Sequence, residues 1–202
     1  MFIELADLLR CPAHHAESHL VVATGEMLGR SITHGVVACP VCQAEFRIAQ
    51  GIVRFGAPDQ RPPSATLPEP HAVEAFLGVA GPGGYVALVG SAARAAPGLA
   101  GPLSGVHLIG INAPPDVSPS PTLSLLESPD LIPVRTASVR GVVVGGERAG
   151  EPWLGEAARV VLPGLRMVVL SNEGSAEGVA RMATGPGVWV GVKQSGTGKR
   201  EA

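Results

Sequence analysis

The stretch "LIPVRTASVRGVVVGGERAGEPWLGEAARVVLPGLRMVVL", residues 131–170, carries two apolar runs, "RGVVVGG" and "RMVVL" (which continues into Ser171), on either side of a helical segment, "EPWLGEAARVV". Neither run alternates apolar with polar residues. A strand with one wet face alternates, so these are strands buried on both faces, as in a parallel sheet covered by helices. Strand, helix and strand within 40 residues make a βαβ unit.

The same texture extends outward. "GGYVALVG" (83–90), "VHLIGIN" (106–112), "TLSLLES" (122–128) and "GVWVGVKQ" (187–194) read as further strands. "HAVEAFLGVAG" (71–81), "SAARAAPGLAG" (91–101, cut by Pro97) and "SAEGVARMA" (175–183) read as helices. Residues 71–194 are therefore expected to form an α/β domain with a doubly wound, mostly parallel, Rossmann-like sheet of five or six strands. The aperiodic 195–202 reads as a disordered tail. Upstream, "GAPDQRPPSATLPEP" (56–70) holds five prolines and reads as a stiff, extended linker at a domain boundary. Residues 1–55 alternate short apolar pieces ("LVVATG", "SITHGVVA", "EFRI", "GIVRF") with turns and read as a small β unit, opened by a short helix or turn over "FIELADLL".

Hydrophobic residues make up 46% of the 202 residues against 16% charged, which favours a protein partner or a homo-oligomer face, although high Ala and Gly usage gives the same figure with no interface. A formal net charge of -2 with scattered arginines is no nucleic-acid footprint. The longest apolar segment is broken by Pro163, Gly164 and Arg166, so no membrane span is expected, and an N-terminus carrying Glu4 and Asp7 with no basic start is no secretory signal. Three cysteines, two of them in a CxxC, point to metal ligation in a reducing compartment, by default the cytoplasm.

The cysteines form a pattern. Cys11 and His14 have CxxH spacing, Cys39 and Cys42 have CxxC spacing, and each pair has proline second, at Pro12 and Pro40. Zinc takes four tetrahedral nitrogen and sulfur ligands, and two tight turns supply them. His14 fits the two-residue gap, and His15 needs a wider turn. Four protein ligands leave no open position, so the expected role is structural, in a unit too small to be stable on its core alone.

"LLRCPAHH…VVACPVCQAEFRIAQGIVRF" resembles the small zinc-ribbon proteins that bind and activate class I methyltransferases acting on tRNA and proteins. The shared features are Leu8 and Leu9, the two proline-containing turns, Phe46, Ile48, Gly51 and Ile52; the one departure is His14 where cysteine is usual. Residues 131–170 in turn resemble the fourth strand, following helix and fifth strand of class I S-adenosylmethionine-dependent methyltransferases, through Pro133, Ser138, Val142 to Val144, Glu156, Ala157, Arg159, Val160, Pro163, Gly164 and Val168. Those positions shape a helix end and a buried strand, so the resemblance implies a fold and no activity.

Cofactor binding rests on other residues. The methyltransferase family ends its first strand in an acidic residue and G-x-G-x-G, whereas this chain has "ALVGSAARAAPG": Gly90 matches the first glycine, but Ala92 and Arg94 occupy the next two sites. The second strand ends at Asn112 where the family has a carboxylate for two ribose hydroxyls, and Asp116 lies beyond two prolines. Glu127, after the third strand, is the remaining candidate; the Asn-Pro-Pro-aromatic signature is missing, and only one strand follows the 175–183 helix where the family has a terminal hairpin. There is no Walker A, HExxH or G-x-S-x-G sequence. Trp153, Trp189 and His107 read as core residues, and Arg94 and Glu147 as lining of a crevice. The expectation is a zinc-binding, non-catalytic scaffold or regulatory subunit working through protein contacts, with Gly90, Asn112 and Glu127 as remnants of a cofactor site, no catalytic residues, and S-adenosylmethionine disfavoured. The alternatives are an active methyltransferase acting on RNA or protein, and a zinc-ribbon nucleic-acid binder.

Overall fold

A computed structural model describes residues 1–58, 61–64 and 67–195. After a 3-10 turn over Ile3–Leu8, four strands form an antiparallel meander: β1 (Val21–Leu28), β2 (Ser31–Ala38), β3 (Glu45–Ala49) and β4 (Ile52–Arg54). Helix α1 (Pro70–Leu77) starts on a proline, whose fixed φ suits a first turn, and stops at Gly78 in the left-handed region at φ 60°. There follow β5 (Tyr85–Val89), a 3-10 turn (Gly90–Ala95), α2 (Ala96–Leu99), β6 (His107–Ile111), β7 (Leu123–Glu127), β8 (Val139–Val144), α3 (Trp153–Val160), β9 (Val161–Val169), β10 (Val179–Gly185) and β11 (Val188–Lys193).

Among the described residues eleven strands join one sheet, in the order β1-β2-β3-β4-β7-β6-β5-β8-β9-β11-β10. The expectation of five or six strands is too low: seven follow the proline-rich segment, and β4 adds the first four to them by pairing in parallel with β7, Val53 opposite Leu126. From β7 through β9 all pairings are parallel, and β11 and β10 return antiparallel as a hairpin. That hairpin replaces the helix expected over 175–183 and corrects the expected loss of a terminal hairpin. The alanines and valine of "SAEGVARMA" have helical spacing, but the backbone groups of β10 find partners on β11, and an exposed edge strand has no need of an apolar face.

Alternate residues of the central strands face two apolar clusters. Val86, Leu88, Leu108, Val143 and Val168 pack with α1 and α2, through Val73, Leu77, Ala96 and Leu99. Ala87, Val89, Ile109, Ile111, Val142 and Val144 pack with α3 through Trp153, Leu154, Ala157 and Val160. Helices therefore lie on both faces, but thinly: neither crossover flanking β7 contains one. The second cluster runs on into Leu5, Leu9, Ile32, Ile48 and Val53, so the N-terminal unit completes the cover there. Polar contacts fix the same junction. Glu17 accepts from the Thr136 N–H (3.1 Å) and hydroxyl (2.9 Å), Arg10 pairs with Glu156 of α3 at 3.6 Å, and the Arg10 backbone N–H donates to the Pro133 carbonyl. Among the described residues no helix is long and apolar enough to cross a membrane. The tail over 196–202 lies outside the described residues.

Candidate metal centre and crevice

Cys11 enters from the 3-10 turn, and Cys39 closes β2, whose turn into β3 places Gln43 at φ 61° with its N–H donating to the Cys39 carbonyl at 2.9 Å. The ligand atoms of Cys11, His15, Cys39 and Cys42 lie within 4.8 Å of one another, close enough to hold a metal ion. Cys11 and Cys42 Sγ are 3.6 Å apart, and Cys39 Sγ and His15 Nε2 are 3.4 Å apart. Tetrahedral zinc with ordinary bond lengths requires about 3.8 Å between sulfurs and about 3.6 Å from sulfur to nitrogen, so this donor set is compatible with a structural zinc.

The histidine is His15, a correction to the His14 expected from spacing. The His15 N–H bonds back to the Ala13 carbonyl (2.9 Å), winding the turn one residue further and leaving His14 exposed. His15 Nδ1 lies 2.7 Å from the Ala16 carbonyl; donating there holds the tautomer whose Nε2 lone pair faces the sulfurs, the usual outer partner of a ligating imidazole. Burial opposes ionisation of Cys39, yet the N–H groups of Cys42 and Val41 and the Ser18 hydroxyl bring its thiol down to about 6. Burial pushes Cys11 up to about 11.

The second feature lies at the C-terminal ends of the parallel strands, where the chain leaves β5 toward β6 on one side while β8 pairs on the other. This is the topological switch point at which open α/β sheets bind ligands. Gly90, Asn112 and Glu127 stand at or just beyond the ends of β5, β6 and β7, so the fold brings the three expected positions to one edge. The protein itself engages each of them. Gly90, at φ 64°, lies against Glu147, whose carboxylate accepts the Ser91 N–H and hydroxyl, both at 2.6 Å, and the Ser64 N–H at 3.1 Å. A Cβ on Gly145 would stand 2.5 Å from Ser91 Oγ, so this glycine is what lets Glu147 fold back. Burial disfavours the Glu147 carboxylate, but the bonds from Ser91 and Ser64 outweigh it and hold the carboxyl below its ordinary range.

Asn112 is turned the other way: its Nδ2 donates to the Ser128 carbonyl (2.6 Å) and its Oδ1 accepts the Ser128 N–H (2.8 Å), tying β6 to β7. Glu127 accepts from Arg54 Nε of β4 at 2.8 Å. Arg94 makes a two-point pair with Asp116, 2.8 and 2.9 Å, and donates from its third nitrogen to the Ser64 carbonyl at 3.2 Å. Arg148, buried at the crevice floor, lies 4.6 Å over the Trp153 ring. The segment at 61–64 of the proline-rich stretch thus lies over the crevice as a strap. Sequence reasoning missed Ser64, because nothing in a proline-rich run marks which peptide group will be gripped.

The remaining expectations are settled locally. Trp153 and Trp189 are buried core residues. His107 stacks on Phe2 at 4.4 Å, and its Nε2 lies 2.9 Å from Ser124 Oγ, a hydroxyl that also accepts the Phe2 N–H (2.8 Å). Burial lowers the His107 pKa to about 4.

No family model matches the chain, and no characterised protein sequence matches it. Solved structures with partial likeness include a complex between the Haloferax volcanii Trm112 methyltransferase activator and a putative methyltransferase, at 15% identity and TM-score 0.45 over 62% of this chain and 90% of that one. The antibiotic-resistance methyltransferase Kmr aligns at 13% identity and TM-score 0.42, over 66% of this chain and 96% of its own. A putative methyltransferase of antibiotic biosynthesis from Anabaena variabilis aligns at 15% identity and TM-score 0.39, over 52% of this chain and 44% of its own. At these scores the likeness carries no argument about what this chain does.

Proposed function

We propose that the protein is a zinc-stabilised, non-catalytic scaffold or regulatory subunit: a methyltransferase-like α/β unit that has given up its cofactor site and works through protein contacts. One observation carries this. At the switch point, where such a sheet would hold a nucleotide-like ligand, Glu147 places its carboxylate on the Ser91 N–H and hydroxyl and pins Ser64 above them. A helix-side N–H at the end of the first strand is what a cofactor's polar groups would need, and this one is already satisfied by an anion of the protein. Asn112 is committed to Ser128 on both its polar ends in the same way.

The metal belongs to the same reading as structural zinc held by Cys11, His15, Cys39 and Cys42. When bound it would supply folding free energy rather than chemistry, because four protein ligands leave no position for substrate. β4 has a neighbour on each side, β3 and β7, so an outside protein must meet this chain elsewhere than on that strand.

Isothermal titration of the zinc-loaded full chain with S-adenosylmethionine tests the proposal. No saturable heat up to millimolar ligand is expected. A dissociation constant in the micromolar range would overturn it and revive the methyltransferase reading.

A further inference from the structure

The strap is held as a peptide ligand would be. Ser64 has both of its backbone polar groups taken by side chains of the crevice: its N–H goes to Glu147 Oε2 (3.1 Å) and its carbonyl to an Arg94 guanidinium nitrogen (3.2 Å). A carboxylate and a cation set to receive the N–H and C=O of one residue recognise extended main chain whatever its side chain. Pro62 and Pro63 precede Ser64, and Leu67 and Pro68 follow it. Prolines keep such a chain extended in advance and reduce the entropy lost on docking. The strap also leaves the trough partly empty. On one side a cavity of about 350 Å3 opens between Pro62, Pro63, Pro114 and Pro115, and on the other one of about 640 Å3 opens beside Leu67, Phe76, Leu170 and Val188.

We propose that the crevice is a peptide-binding groove, that the chain's own strap occupies it in cis, and that its outside ligand is an extended, proline-flanked segment of another protein. This rests on the scaffold reading above and names the class of partner. The empty volumes say how a foreign segment wins. The strap competes at the millimolar effective concentration typical of a short tether. A segment with bulkier apolar side chains on either side of the gripped residue fills space that the strap does not, and apolar area so removed from water favours the exchange.

The probe is a fluorescein-labelled peptide with the sequence of residues 57–69, titrated by anisotropy with the zinc-loaded full chain and with Ser64→Pro. That substitution removes the N–H the strap gives to Glu147 and leaves the pairing of Glu147 with Ser91 intact. Ser64→Pro should bind the peptide saturably, the wild type at least about tenfold more weakly because its strap competes. A control peptide with proline at the Ser64 position should bind Ser64→Pro at least about tenfold more weakly than the probe, having lost a hydrogen bond to a charged acceptor. Equal binding by the two proteins, equal binding of the two peptides, or no binding to a folded Ser64→Pro would each overturn the proposal. A wild-type dimer that Ser64→Pro converts to monomer would assign the groove to a second copy's strap and overturn it as well.

A second measurement needs no variant. The Ser64 amide of the wild-type chain should be protected from hydrogen exchange and lose that protection in excess probe peptide; exchange that ignores the peptide counts against the groove. The titration with S-adenosylmethionine remains independent. If the peptide fails and the cofactor does not bind, only the groove is lost, whereas cofactor binding removes the scaffold reading itself.

Discussion

Two clusters of polar groups organise this molecule, and they are opposites. At the metal centre four ligand atoms converge within 4.8 Å of one another, and the donors around Cys39, from the Ser18 hydroxyl and two N–H groups, surround that point without separating the ligands. At the crevice Glu147, Ser91, Ser64, Arg94 and Asp116 bond one another within the chain, and Asn112 holds the Ser128 backbone while the buried Ser128 hydroxyl has no partner among the described residues. Ligand atoms converging on one point have the geometry of a site that can take a metal, whereas polar groups that bond one another, with the strap among them, have the geometry of a site occupied by its own chain. The difference is why the first region is read as compatible with a structural metal, and why we propose that the second holds no cofactor.

The comparison breaks most visibly at the metal. Cys39→Ala, or chelation, should abolish stoichiometric zinc and unfold the surrounding ribbon, because a structural zinc contributes on the order of 10 kcal/mol. Metal analysis and thermal unfolding check this: a purified chain with less than about half an equivalent of zinc, or a variant melting with the wild type, ends the assignment. Within the cluster His15→Ala should weaken zinc by at least about tenfold while His14→Ala leaves it unchanged. The reverse order would restore the ligand that spacing alone favoured.

At the crevice the expected cost is smaller. Glu147→Ala leaves the Ser91 N–H and hydroxyl and the Ser64 N–H without their acceptor, a loss of about 2–4 kcal/mol for half-buried, charge-assisted bonds. Glu147→Gln keeps the shape and one acceptor, and should cost less than half of that. If denaturant unfolding puts Glu147→Ala within 0.5 kcal/mol of wild type, a threshold of the order of an ordinary surface change, the crevice is not closed by this residue.

How much of this was legible in the sequence follows from which forces act locally. The central strands showed themselves because burial on both faces removes alternation, and "RGVVVGG" and "VHLIGIN" have no other reading. Strand β10 did not, because its residues are mostly exposed and its conformation is set by pairing with β11; the one local signal was "GPG" at 185–187, a turn between two valine-bearing runs. The cysteines were legible from spacing, but the choice of His15 over His14 depends on a single backbone hydrogen bond within the turn. The departures from a glycine-rich turn after Gly90 were legible. The contact that Glu147 makes there was not, since it reaches Ser91 across 56 residues and no periodicity encodes it.

Acid offers a test that separates the core from both clusters. His107 is neutral when folded, with its pKa lowered to about 4, while in the unfolded chain it titrates near 6.5. Between those values the unfolded state binds more protons, so stability falls as pH drops through the window, by about 3 kcal/mol in all. His107→Phe should flatten that part of the pH profile, because phenylalanine keeps the stacking on Phe2 and carries no proton. The zinc site also weakens in acid, since its ligands must be deprotonated, so the measurement follows the difference between His107→Phe and wild type rather than either curve alone.

The smallest effect concerns the seam that joins the two regions. β4 meets β7 through three residue pairs, and Arg54 and Glu127 are the outermost of them. Arg54 is 44% and Glu127 25% exposed, so their ion pair is wet and should be worth no more than about 1 kcal/mol. Beside it Val53 is fully buried in the cluster that runs from Leu5 to Trp153. A double-mutant cycle of Arg54→Ala and Glu127→Ala should therefore return a coupling below about 1 kcal/mol. Val53→Ala should cost about 1–3 kcal/mol, scaled down from larger aliphatic truncations. If the ion pair proves the stronger, the seam is held by charge, and raising the salt concentration should loosen the ribbon from the rest of the sheet. If Val53 does, ribbon and sheet share one core, and the metal and the crevice are two ends of a single cooperative unit whose unfolding by chelator and by denaturant should lose both at once.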